Sequence, residues 1–193
     1  IGCGYVGNTV ANSLSNVIKI DPKYYDNKIE NFMYDGAVIC LPTPTVDGMC
    51  DDSLIEETID RLGNTRILIK STVLPNLLDI DWWISKFHFE DKNNMIMKRK
   101  DASMVKYIYN CFLATKVAVF HEIYSKLDSS FNYHSIINTL ADFENIGPSH
   151  MKAKNLGYDG SCFPKDMEAF ANWLDSEILK NVIEVNKKLI ESR

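Results

Sequence analysis

Short apolar runs rich in β-branched residues alternate with helical patterns in the first half of the chain. Such runs predict β-strands, and they cover residues 17–20, 37–41 and 67–70. Their apolar residues are largely consecutive, as expected of parallel strands that are covered on both faces. After a loop over residues 42–52, a helix is predicted from Ser53 to Leu62, with Ser53 and Glu56 forming a capping box. This order predicts an α/β fold with a Rossmann-like parallel sheet.

The pattern changes in the second half, where residues 101–128 contain no proline or glycine. Apolar residues cover nearly the whole circumference of the predicted helix, which would be about 42 Å long. We expect a second subunit to pack on it in a homodimer, because a chain this small can hardly bury it alone. Further helices are predicted over residues 132–142 and 166–192. The chain therefore divides into a Rossmann-like domain, residues 1–100, and a helical region, residues 101–193.

Composition excludes several classes of function. The 193 residues are 46% hydrophobic and 24% charged, and their net charge of −5 does not favour nucleic-acid binding. No apolar run is long enough for a membrane span. The five cysteines are odd in number and lack the spacing of a zinc site or a disulfide framework, so we predict no metal and a reducing, cytoplasmic location. The chain begins at Ile1 without a methionine, so either residues precede it or the first strand is short.

A glycine pattern at the start predicts dinucleotide binding. Gly2, Gly4 and Gly7 have the spacing that lets a tight turn and a helix N-terminus approach a pyrophosphate. Asp21 follows Gly2 by 19 residues, close to the spacing at which a carboxylate accepts the ribose hydroxyls of NAD. An arginine there would have favoured NADP. The alternative is a turn that only packs a helix on a strand.

Polar residues at other predicted element ends could line a site. Hydroxyl side chains follow two strands at the sheet edge where ligands bind, although such residues also form plain turns: Thr43, Thr45, Ser71 and Thr72. Lys106 and Asn110 share one face of the long helix. Lys106 could act as a base or donate to a developing negative charge, or it could simply extend its ammonium to water. Cys162 lies in a glycine-flanked loop with Lys165 nearby, which favours a reactive thiolate, although most loop cysteines are inert.

Together these segments resemble the UDP-glucose/GDP-mannose dehydrogenase family. The motifs are, in order, GCGYVG (2–7), CLPTPT (40–45), KSTVLP (70–75), KYIYNCFLATKVAVFHE (106–122) and GYDGSCFPKD (157–166). The resemblance implies oxidation of the primary alcohol of a UDP-sugar, with UDP-glucose as the expected substrate, to the uronic acid by two NAD+. It also implies a cysteine thiohemiacetal and thioester as intermediates and a dimer formed through the long helix.

The resemblance implies a role for each matched residue. Cys162 would be the nucleophile, Lys106 would stabilise the oxyanion with Asn110 beside it, and Asp166 would be a general base acting through water that Thr72 positions. The cofactor site would comprise Gly2, Gly4, Tyr5, Val6, Gly7, Asp21, Thr43, Pro44, Thr72 and Lys165.

Several features depart from the family pattern. Members are about twice this length, with a second Rossmann-like domain and a catalytic glutamate in a Pro-Glu-Phe-Leu segment, for which Glu90 is the candidate here. Asp159 occupies a position where the family favours glycine, and its charge is expected to disfavour a Cys162 thiolate. Three interpretations follow: a shortened enzyme, a degenerate relative that binds NAD or a protein partner without turnover, or a chain that joins separated pieces.

Overall fold

The computed structural model describes residues 1–75 and 99–193, which form two compact units. Unit 1 comprises Ile1–Val46 and Cys50–Lys106, and unit 2 comprises Asp47–Met49 and Tyr107–Arg193. Glu90 lies outside the described residues. The predicted domain boundary after residue 100 stays a prediction. Among the helices that the structure describes, none is long and apolar enough to cross a membrane.

The centre of unit 1 is a pair of parallel strands joined through a helix. The strands pair in register from Ala37 with Ile67 to Ile39 with Ile69. A hairpin precedes the connecting helix, where the sequence predicted a loop. Its turn residues Asp47 and Gly48 both have positive φ, as the Asp-Gly turns of two-residue hairpins require. The elements are β1 Ala37–Ile39, β2 Thr45–Val46, β3 Met49–Cys50, α2 Ser53–Leu62 and β4 Ile67–Ile69.

The strand predicted over residues 17–20 is wrong for the described chain, since this segment is extended but not assigned as a strand. Ile20 still accepts a hydrogen bond from the amide of Gly2 at 2.9 Å, and Cys40 donates to the carbonyl of Ile1 at 2.7 Å. Ile1 and Gly2 thus lie between this segment and β1. Strand assignment requires a ladder of paired residues, which residues 17–20 do not form in the described part of the chain.

Helix α1, Tyr5–Asn12, follows the glycine turn and has no buried residue. A cavity of about 410 Å³ lies along it, lined by Val10, Leu14 and Val38 among others. The core of unit 1 instead forms around the strands and α2, from Ile20, Ile29, Ile39, Ile55, Ile59, Leu62, Ile67 and Val73. Ile29 belongs to a short 3₁₀ turn, Ile29–Asn31.

The bounds of α2 are those predicted, but the capping box is wrong. Asp52 is the N-cap, and Ser53 is already the first helical residue. The hydroxyl of Ser53 donates to Asp51 Oδ1 at 2.7 Å, so it is directed back toward the preceding loop. The buried residues Ile55, Ile59 and Leu62 recur at the spacing of one helical face and fix α2 on the strands.

Unit 2 is helical. The helices are α3 Arg99–Lys126, whose first residues belong to unit 1, α4 Tyr133–Ala141, α5 Phe163–Trp173 and α6 Glu177–Glu191. The long helix has 28 residues, the predicted length, but begins two residues earlier. The helix predicted over residues 166–192 is two helices. Asp175 takes a left-handed φ of 51°, and the Ser176 side chain caps α6 by accepting from the amide of Leu179 at 3.3 Å.

Helix α5 packs against α3 through aromatic and polar contacts. The Tyr107 ring stacks on Phe170 with centroids 5.0 Å apart, and Phe170 stacks on Trp173 at 5.9 Å. The Cys111 thiol lies 3.7 Å from the carbonyl oxygen of Asp166. These contacts fix the position of the first turn of α5 against the middle of α3.

His121 on α3 is buried and connects this helix to the segment that leads to α5. Its Nε2 donates to the carbonyl oxygen of Lys152 at 3.0 Å. Burial lowers the pKa of His121, because the charged imidazolium loses its hydration. Burial also lowers the pKa of His150.

We therefore expect the free energy of unfolding to decrease as pH falls below about 6.5, the pKa of an unfolded histidine, because the unfolded state then binds more protons. The His121→Gln variant should have a weaker pH dependence between about pH 7.5 and 5.5, with part of it retained through His150. Urea unfolding at several pH values measures this slope. The control is His134→Gln, at an exposed position on α4. Equal slopes in wild type and His121→Gln would contradict the assignment.

Candidate functional site

Two glycines at the turn before α1 lie where a side chain could not fit. Gly2 has a φ of +81°, and a Cβ there would lie 2.7 Å from the carbonyl oxygen of Cys40. A Cβ on Gly7 would lie 1.8 Å from the carbonyl oxygen of Gly2, so only glycine lets the helix approach the turn this closely. A Cβ on Gly4, the N-cap of α1, would meet nothing within 4 Å. The space beside Gly4 and the helix N-terminus is thus open to an anionic group.

Asp21, the candidate ribose-binding residue, has its carboxylate beside this turn. Its Oδ2 accepts from the amide of Cys3 at 2.6 Å, and its Oδ1 accepts from the amide of Lys23 at 2.9 Å. The pairing of Gly2 with Ile20 places the carboxylate there, because Asp21 directly follows Ile20. These two bonds orient the carboxylate at the edge of the glycine turn.

The polar residues near the strand ends of unit 1 differ in burial and in hydrogen bonding. Thr43 and Thr72 are buried, and Ser71 donates to the carbonyl oxygen of Leu41 at 2.6 Å. The Lys106 ammonium donates to the carbonyl oxygen of Lys70 at 2.6 Å, so it is held at the end of β4. The remaining predicted cofactor residues, Tyr5, Val6 and Pro44, are exposed.

The polar cluster of unit 2 is built on Asp166, whose side chain is 1% exposed. Its Oδ2 accepts from the amide of Asn110 on α3 at 2.6 Å, and its Oδ1 accepts from the Lys165 ammonium at 2.5 Å. The structure thereby brings together three of the predicted site residues. Because each carboxylate oxygen has its own donor, the carboxylate is held in one orientation.

Cys162 lies at the N-cap of α5, one helical turn before Asp166. Its carbonyl oxygen accepts from the amide of Asp166 at 3.0 Å, which is the first hydrogen bond of the helix. The side chain is exposed, and Ser161 Oγ lies 3.7 Å from its sulfur. An anionic group at this position faces the positive end of the helix dipole.

Asp159, the residue expected to disfavour a Cys162 thiolate, has a cationic partner. Its Oδ2 pairs with the Arg193 guanidinium at 2.8 Å, and Arg193 Nε also donates to the carbonyl oxygen of Leu156 at 2.7 Å. Arg193 could not be predicted as this partner from the sequence, because 34 residues separate the two and no local pattern joins them. The negative charge at residue 159 is thus balanced by a nearby positive one.

The other cysteines differ from Cys162 in their surroundings. Cys3 and Cys111 are buried, and Cys40 and Cys50 are partly buried. Burial, with a smaller contribution from the Asp166 charge, raises the pKa of Cys111 to about 12. Burial also raises the pKa of Cys3 and Cys40. Within residues 1–75 and 99–193, no cluster of three histidine, cysteine or acidic side chains could hold a metal ion.

Comparison with known families accounts for this arrangement. Residues 100–188 match the model described as "UDP-glucose/GDP-mannose dehydrogenase family, central domain". The second half of the chain is thus similar to the central domain of this family. The resemblance predicted from the motifs is therefore confirmed, and the matched segment includes Lys106, Asn110, Cys162, Lys165 and Asp166.

Individual relatives each match a little under half of the chain. UDP-glucose 6-dehydrogenase YwqF of Bacillus subtilis is 37% identical over 93 residues, which are 45% of this chain and 21% of that protein. UDP-glucose 6-dehydrogenase of Rickettsia prowazekii is 35% identical over 92 residues, again 45% and 21% of the two chains. The matched stretches thus span about a fifth of the relatives' own length.

A solved structure shows the same fold. The UDP-glucose dehydrogenase of the hyperthermophilic archaeon Pyrobaculum islandicum superimposes with a TM-score of 0.66 at 21% identity. The match covers 82% of this chain and 50% of the archaeal one. The predicted α/β class with a Rossmann-like sheet and a helical second half is confirmed.

The differences among the cysteines predict selective modification. Iodoacetamide at about pH 8 should label Cys162 first, because it is exposed, and should leave Cys111 unmodified, because burial keeps that thiol protonated. Peptide mass mapping over a time course measures the order. The Cys162→Ser variant is the control and should lose the fast phase. Early labelling of Cys111 would contradict this structure.

Proposed function

We propose that this protein is an NAD-dependent nucleotide-sugar dehydrogenase that oxidises the C6 alcohol of UDP-glucose, or of a related UDP-sugar, to the carboxylic acid. The observation that carries the proposal is the cluster in unit 2. An exposed cysteine begins a helix, and one turn later Asp166 is buried with Asn110 and Lys165 as its donors. The names of the two bacterial relatives support UDP-glucose as the substrate.

Cys162 would supply the covalent chemistry. After the alcohol has been oxidised to the aldehyde, the sulfur adds to the aldehyde carbon, and a C–S bond forms as a thiohemiacetal. Loss of a hydride from that carbon and of the hydroxyl proton gives a thioester. Water then attacks the thioester, the C–S bond breaks, and the acid and the thiol are released. The exposure of Cys162 supports this role, because a sugar aldehyde must reach the sulfur.

Asp166 would act as the general base through a water molecule. Its two donors hold the carboxylate in a fixed orientation, which favours proton transfer along one direction. We assign to Lys106 the stabilisation of the negatively charged oxygen and to Thr72 the positioning of the water. In support of the first assignment, Lys106 donates to the carbonyl oxygen of Lys70, so its ammonium is held at a strand end.

The residues of the glycine turn fit NAD. Gly2, Gly4 and Gly7 would hold the pyrophosphate at the N-terminus of α1, and Asp21 would accept the ribose hydroxyls. Tyr5, Val6, Thr43, Pro44, Thr72 and Lys165 complete the proposed cofactor site. NAD+, when bound, accepts the two hydrides. The open space beside Gly4 supports this fit, because a pyrophosphate must approach the backbone there.

We also propose that the protein is a homodimer in a reducing, cytoplasmic environment. Helix α3 exposes large apolar side chains at the spacing of one face: Ile108, Phe112, Val119 and Ile123. Phe112 is 65% exposed, and a second copy of α3 is the partner that best matches this face. All five cysteines, which lie in the described part, are thiols rather than disulfides, and this supports the location.

Incubation with UDP-glucose and NAD+ tests the enzymatic proposal. We expect about two NADH per sugar, followed by absorbance, because the second oxidation proceeds from the covalent thiohemiacetal. The Cys162→Ser variant should lower the rate of acid formation by a factor on the order of a thousand or more, since the nucleophile is lost. Retained NAD binding serves as the folding control. Bound NAD without NADH from any UDP-sugar would refute the dehydrogenase proposal.

The dimer is tested with a charge on the exposed face of α3. The wild type should sediment at twice 22.0 kDa, and Phe112→Glu should shift it toward the monomer, because a carboxylate buried in an apolar interface is strongly unfavourable. Analytical ultracentrifugation over a range of concentrations measures this. Phe131→Glu, at another exposed phenylalanine outside α3, is the matched control. A monomeric wild type, or an effect as large in the control, would count against the interface.

A further inference from the structure

We infer that Asn186 on α6 is a positioning residue for Cys162, holding the loop that presents the thiol. The inference rests on the proposed function, because it takes the held loop to place the Cys162 sulfur for the proposed reaction. The loop comprises Leu156–Gly160. It is held by Asn186 and Ile190 on α6 and by Arg193, two residues beyond the end of that helix. The contacts involved are all within unit 2.

The Asn186 side chain is 6% exposed and binds both backbone groups of one residue. Its Oδ1 accepts from the amide of Tyr158 at 2.6 Å, and its Nδ2 donates to the carbonyl oxygen of Tyr158 at 3.0 Å. A side-chain amide is the group that offers one donor and one acceptor in this fork. A buried backbone N–H or C=O group without a hydrogen bond costs free energy. The two bonds to Asn186 therefore fix both the position and the orientation of the peptide groups of Tyr158.

The loop is shaped to receive this side chain. Gly157 has a φ of +75°, and a Cβ there would lie 2.8 Å from Asn186 Oδ1 and 3.0 Å from Ile190 Cγ1. Arg193 binds Leu156 and Asp159 on the two sides of the same segment. Asn186 and Ile190 lie on one face of α6, and Arg193 follows two residues after the helix ends, so the C-terminal part of this segment holds the loop.

The held residue is connected to the start of α5. The Tyr158 ring meets the ring of Phe163 edge-on, with centroids 6.1 Å apart. Phe163 is the first residue of α5 and directly follows Cys162. Gly160, with a φ of +87°, lets the intervening chain turn. Movement of Tyr158 would therefore displace the helix start at which the sulfur is placed.

The sharpest test is the Asn186→Asp variant studied as a function of pH. Its carboxylic acid form keeps one acceptor and one O–H donor and can make both bonds to Tyr158, whereas the carboxylate would place a negative oxygen against the Tyr158 carbonyl. Burial favours the acid form at low pH. We therefore expect the ratio of variant to wild-type kcat to be within about threefold of unity near pH 5.5 and to fall roughly tenfold or more near pH 8.

Three further measurements separate positioning from general loss of structure. The KM for NAD+ should change much less than kcat in Asn186→Asp, because the glycine turn and Asp21 belong to unit 1 and Lys165 alone of the proposed cofactor residues belongs to unit 2. Circular dichroism at both pH values reports whether the variant is folded. Asn181→Asp introduces the same charge at an exposed position of α6, and its kcat ratio should be independent of pH.

Amide hydrogen exchange tests the contact between Asn186 and Tyr158 without requiring that the enzyme turn over a substrate. The Tyr158 amide should exchange roughly tenfold or more faster in Asn186→Asp than in wild type near pH 8, and at a similar rate near pH 5.5. If wild type makes no NADH, the proposed function fails while this measurement still decides whether Asn186 holds the loop. A kcat ratio independent of pH, in an enzyme that does turn over, would overturn the inference. So would unchanged exchange of Tyr158 at both pH values.

Discussion

The buried carboxylate of Asp166 is the constraint on which the arrangement of the second unit depends. A charged group inside a protein is strongly unfavourable unless donors replace the lost water. Here Asn110 and Lys165 provide them, and Asn110 can do so only if α5 packs on α3 in one register. The Tyr107–Phe170 stack supports the same register from the apolar side. Because α5 starts at Cys162, satisfying one carboxylate also determines where the thiol lies.

Those parts of the fold that follow from local chemistry could be predicted from the sequence. Helix α2 has its predicted bounds, and α3 has its predicted length, because apolar periodicity and breaker residues act within a few turns. The pairing of β1 with β4 follows from two apolar runs separated by a helix. The glycine spacing likewise located the turn before α1, since a tight turn and a close helix need glycine at fixed positions.

The remainder depends on contacts that a local pattern does not contain. Residues 17–20 have the composition of a strand, but the segment is extended without being assigned as one, because assignment needs pairing with another segment. The break between α5 and α6 needs a left-handed Asp175, in a stretch without glycine or proline. The Asp-Gly hairpin did have a local signal, in a segment rich in loop-forming residues. The partners of the loop, Asn186 on α6 and Arg193 beyond its end, are ordinary polar residues in the sequence until the fold brings them to the loop.

The distance along the chain between the loop and Asn186 has a consequence for synthesis. Tyr158 and Asn186 are separated by 28 residues, and a ribosome adds residues from the N-terminus onward. Cys162 therefore emerges and becomes accessible before the helix that holds its loop exists. During that interval the thiol is an ordinary side chain on an unsupported segment. The loop can therefore take its held conformation only after Asn186 has been added, 28 residues after Tyr158.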